Sequence, residues 1–142
     1  MEVSHVRNRL RAALDGARER VQLRRQRNAE AERGFDTFLA TAVPIARQIA
    51  NALKVEGYAF TVFTPERGLR LASDRGRDEF IDLSLDTSGD RPEVMARISF
   101  SRGSRTVDDE RPVKRGAAPE TITEEEVLDF FLAALEPWLE RK

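Results

Sequence analysis

"FIDLSLDTSGDRPEVMARISFS", residues 80–101, is the stretch whose reading decides the fold. It holds two runs of period two: Ile81, Leu83 and Leu85 share one face of the first, and Val94, Ala96, Ile98 and Phe100 share one face of the second. Successive strand side chains point to opposite faces, so each run reads as a strand with one apolar side. Between them, "TSGDRP" gathers Ser, Gly, Asp and Pro. That composition predicts a tight antiparallel connection, too short for a helical crossover.

The same pattern extends on both sides. Upstream, "YAFTVFT" (58–64) and "LRLAS" (69–73) read as two more strands, joined through the turn segments "PERG" and "DRGRD". Downstream, "RGSR" turns the chain into a weaker fifth strand from Arg105 to about Asp108, and Pro112 bars that segment from a central place. The strands therefore predict a four- to five-stranded antiparallel meander.

Helical signals flank the strands. Thr123 with Glu126 three residues later has the spacing of a capping box, and Ile122 with Val127 that of a hydrophobic staple. Glu124, Glu125 and Glu126 then face the positive end of the helix dipole. Val127, Phe130, Phe131, Ala134, Leu135 and Trp138 form the apolar face of this C-terminal helix, which Pro137 kinks or ends. Packed on the sheet, the helix covers one face of it.

Before the strands, Leu10, Leu14, Ala17, Val21, Arg24, Asn28, Ala31, Phe35, Phe38, Ala42, Ile45, Ile49 and Ala52 keep the alternating four-three spacing of a heptad seam. The spacing predicts two N-terminal helices, a long arm from Val3 to Glu32 and a core helix from Phe35 to Val55, either collinear through Gly34 or broken there. The fold class is α+β. Residues 1–33 form a basic arm helix and residues 34–142 a single α+β domain.

Charge follows the same division. Of the 142 residues 35% are charged, yet the net charge is only -1, which argues against a surface that coats nucleic acid or membrane as a whole. Residues 1–33 hold nine arginines and five acids, a net of +4, so the remainder carries -5. A basic arm precedes an acidic body.

Several chemistries have nothing to start from. With no cysteine there is no disulfide, zinc-thiolate site or cysteine nucleophile. The only histidine, His5, lies in the terminal turn of the arm, which leaves a histidine triad or metal site without a base. Asp74, Asp78, Glu79 and Asp82, then Asp108, Asp109 and Glu110, then Glu124 to Glu126 are acidic clusters with no spacing that forces convergence on a metal. The longest uncharged run, "TFLATAVPIA" (37–46), is too short to cross a bilayer, and no signal-peptide pattern opens the sequence. The expectation is a cytoplasmic, non-enzymatic protein with no cofactor, no metal, no membrane association and no small-molecule substrate.

Two interaction surfaces are left. Leu10, Leu14, Ala17, Val21, Asn28, Phe35 and Phe38 form a seam that a second copy or a larger protein would cover, giving a coiled coil and a homodimer, with Asn28 fixing register. Alternate turns of a meander lie at the same end of the sheet, so Arg75 and Arg77 share a rim with Arg102 and Arg105. Glycine and charge at a hairpin tip serve turn geometry and solubility. Four arginines at one end also suit phosphate contacts, and hence nucleic acid.

Overall fold

A computed structural model of the chain describes residues 1–141. In order, the elements are α1 (Val3–Val55), β1 (Phe60–Phe63), β2 (Gly68–Ser73), β3 (Phe80–Asp86), β4 (Glu93–Arg102), β5 (Arg105–Pro112), a short 3-10 turn (Pro119–Thr121), α2 (Glu124–Ala134) and α3 (Glu136–Glu140). The chain forms two compact units, Met1–Glu30 and a body that begins at Ala31. α1 supplies residues to both.

The sheet is the antiparallel meander that the alternation implies, in the order β1-β2-β3-β4-β5. Ile81 lies opposite Leu71 and Ile98, so the apolar positions of neighbouring strands fall in line on the inner face. β5 is longer than the sequence pattern suggests and pairs with β4 from Arg105 as far as Pro112, opposite Met95. It is an edge strand, where a proline costs no ladder bond on its solvent side. Gly103 takes φ +64 and Ser104 does not share the positive φ, a two-residue hairpin loop of the II′ kind whose first position calls for glycine.

In place of the two expected N-terminal helices there is one uninterrupted helix. α1 continues through Gly34, where the Glu120 carboxylate packs so closely that it occupies the place of a Cβ. Glycine there makes room for a neighbour and does not end the helix. Pro44 is also inside α1. It sits on an exposed position, where solvent reaches the carbonyl of Ala40 that proline leaves without a donor.

On the inner face Leu69, Leu71, Ile81, Leu83, Val94 and Ala96 are all within 2% of full burial. They share one core with Phe35, Phe38, Ile49 and Leu53 of α1, Val127 and Phe131 of α2, and Trp138 of α3. Ala42 and Ala46, both at 0% exposure, keep one side of α1 narrow enough for close approach. α2 and α3 pack on this face as the C-terminal apolar pattern requires. On the outer face Phe80 is roofed by Arg70, whose guanidinium carbon lies 4.1 Å from the ring centroid. Arg70 is itself held by Asp82 through Nε and Nη2 at 2.7 and 2.6 Å. A bidentate pair over a ring closes the sheet's outer face with charge.

Candidate functional site

The arm presents large apolar side chains to solvent. Leu10 is 58% exposed, Leu14 47% and Val21 37%, with Val3, Val6 and Leu23 also exposed. Ala17 is half-buried beside Gly16, and Asn28 is exposed. Spacings of three and four put Val3, Val6, Leu10, Leu14, Ala17 and Val21 along one stripe. Of the arm's arginines, Arg18 pairs with Asp15 at 3.7 Å, and no other ion pair forms within residues 1–30.

The remaining two seam residues are placed elsewhere. Phe35 and Phe38 stack on each other with ring centroids 5.8 Å apart and are 2% and 1% exposed in the body's core. They are closed to a partner. The heptad spacing is continuous across them because α1 is one helix that runs from the arm into the body's core.

In the body, Arg75, Arg77, Arg102 and Arg105 are exposed in the β2–β3 turn or at the β4–β5 hairpin, which lie at one end of the sheet. None of the four makes an ion pair among the described residues. Two further charges at this end form a pair that the sequence does not announce, Glu79 having read there only as one of a cluster of acids. Glu79 is a carboxylate only 3% exposed, and Arg141 reaches it from beyond α3 with Nη2 2.5 Å from Oε1. Arg141 also donates to the Ser101 carbonyl at 3.4 Å and lies 4.4 Å from the Phe100 ring centroid. Residues 62 apart in sequence leave no local pattern to read.

Other charged contacts fasten loops to helices. Arg67, the one non-glycine residue with positive φ (58°) among those described, meets Glu32 with Nη1 2.5 Å from Oε1. This hydrogen bond holds the Glu32 carboxyl below its usual range and the Arg67 guanidinium above its own. Lys114 pairs with Glu126, which with the Thr123 backbone N–H lowers the Glu126 carboxyl.

The body also carries an apolar groove of about 630 Å³ between the second half of α1 and the helices α2 and α3. Ile45, Ile49, Leu128 and Leu135 line it, and Leu132 and Leu139 stand at 49% and 42% exposure. Its charged lining residues are Glu56, Glu124 and Glu125, all acidic and all without an ion-pair partner among the described residues. A signal for it existed in the sequence: Leu128, Leu132 and Leu139 form a second apolar row on the C-terminal helices, beside the row that enters the core. No three His, Asp or Glu side chains group to hold a metal ion among the described residues, and no helix there is long and apolar enough to cross a membrane. Comparison with protein-family models, with curated proteins and with solved structures finds no match to this chain.

Proposed function

We propose that this chain is a small assembly module that self-associates through its N-terminal helical arm. The observation that carries this reading is the stripe of Val3, Val6, Leu10, Leu14 and Val21, none less than 37% exposed, on a helix whose arginines flank that stripe on both sides. A contiguous apolar stripe in water marks a surface awaiting a partner. Fully withdrawing a Leu or Val from water gives about 1.5–3 kcal/mol, so covering the part still exposed here gives roughly 1 kcal/mol apiece, enough for the stripe as a whole to support association between folded chains. Neither catalysis nor a cofactor belongs to this role.

Light scattering tests it. The wild type is expected at twice the monomer's 16.1 kDa, and Leu14→Asp with Val21→Asp at the monomer mass, with an unchanged near-ultraviolet circular dichroism signal. A monomeric wild type, or a double variant of unchanged mass, sinks the reading.

A second reading is favoured by one observation, the four exposed and unpaired arginines at one end of the sheet. They suit a phosphate backbone. That role requires binding of labelled single-stranded or duplex oligonucleotide that weakens steeply between about 50 and 200 mM salt and disappears when Arg75, Arg77, Arg102 and Arg105 are made Ala.

A further inference from the structure

We infer that the seat for the arm is the acid-lined groove of a second copy, so that two chains exchange arms instead of pairing arm with arm. This rests on self-association through the arm. Three observations about groove and arm, each independent of the others, fit together.

The first is charge. Every charged residue lining the groove is a carboxylate without an ion-pair partner: Glu56 just past the end of α1, and Glu124 and Glu125 in the first turn of α2. Residues 1–30 carry eight arginines against four acids, and seven of the eight are unpaired. Arm packed against arm would bring two +4 surfaces together. Arm packed in the groove sets arginine against carboxylate, and complementary potentials of this kind select partner and register.

The second is shape. An amphipathic helix enters a groove through anchors spaced three and four apart. Val6, Leu10, Leu14 and Val21 supply them, and Ala13 and Ala17 leave that side of the arm slim enough for close approach. From Val6 to Val21 the helix rises about 22 Å, and the α1 wall of the groove from Ala40 to Glu56 rises about 24 Å. Stripe and groove match in length to within about 2 Å.

The third is that both surfaces are formed yet uncovered. Leu132 and Leu139 are as exposed as Leu14 and Val21, although they belong to helices that also line a well-packed core. Burying the two sets against each other withdraws both from water at once.

Complementation decides the matter, using two full-length variants. One carries a disabled arm, Leu14→Asp with Val21→Asp; the other a disabled groove, Leu132→Asp with Leu139→Asp. The groove positions are 49% and 42% exposed, and Glu124→Arg with Glu125→Arg serves as a second groove variant that removes no apolar side chain. Arm exchange requires each variant alone to be monomeric. It also requires an equimolar mixture to recover a species of doubled mass, because the intact arm of one chain finds the intact groove of the other. Groove variants that dimerise like the wild type overturn the inference while leaving self-association through the arm in place, as does a mixture that stays monomeric at several hundred micromolar. An arm variant that still dimerises overturns the underlying reading instead.

Discussion

A carboxylate as buried as Glu79 is tolerable because one guanidinium meets it, and that guanidinium comes from the second-last residue of the chain. Arg141→Met would keep much of the packing over Phe100 and leave Glu79 without its counter-charge. Stranding a buried charge costs more than the pair contributes, so a loss of about 2–3 kcal/mol is expected by urea unfolding, with most of it recovered in Arg141→Met combined with Glu79→Gln. Additive losses in that cycle would show that the two side chains act separately. Legibility at this scale follows locality. Thr123 and Glu126 form the capping box that their spacing implies, whereas Glu79 and Arg141 are joined only by topology. Phe35 and Phe38 mark the other boundary of what a sequence can say. Periodicity tells which residues share a face but not what covers it, so the same spacing described both a core residue and an exposed one.

At the scale of elements the sheet was the most legible part, because each strand carries its own alternation and each turn its own glycine, proline or aspartate. α1 was less so. A glycine reads locally as a poor helix former, but at Gly34 the missing side chain accommodates Glu120, a contact 86 residues away in sequence that no local rule contains. The start of α2 is where an element can be tested alone. Thr123 Oγ1 accepts from the Glu126 backbone N–H at 3.2 Å, and Thr123→Ala is expected to cost about 1 kcal/mol. Glu126 adds a pH dependence. Its folded carboxyl lies below the ordinary value of 4.5, first through Lys114 and then through the Thr123 backbone N–H. A group depressed on folding contributes stability above its unfolded pKa and loses it as pH falls through the folded value. Glu126→Gln should therefore be less stable than wild type at pH 7, and the gap should shrink as pH falls through the lowered folded value. Denaturant midpoints at pH 7 and pH 3 check this; a difference at pH 3 as large as that at pH 7 assigns the effect to packing.

For the whole molecule, the least legible property was the division of labour within one helix. The charge asymmetry between arm and body was plain in the sequence, but the acid-lined groove emerges only when α1, α2 and α3 come together. That division predicts how stability responds to concentration. Every member of the hydrophobic core lies at Phe35 or beyond, so a fragment of residues 31–142 is expected to fold and unfold cooperatively with the near-ultraviolet signature of the full chain. In the full chain, arm exchange engages the body's own groove, so association stabilises the body by mass action. With two chains per assembly this amounts to about 0.7 kcal/mol per chain for each tenfold rise in concentration, half the value for a simple ligand. Melting temperature should then climb by about 2–3 °C per tenfold for the full chain and stay flat for the fragment. Arm-to-arm pairing predicts a different pattern, since a contact that leaves the body untouched leaves its melting flat in both proteins. Scanning calorimetry from about 5 to 500 micromolar separates the two, and a fragment whose melting still rises with concentration would place the association surface in the body alone.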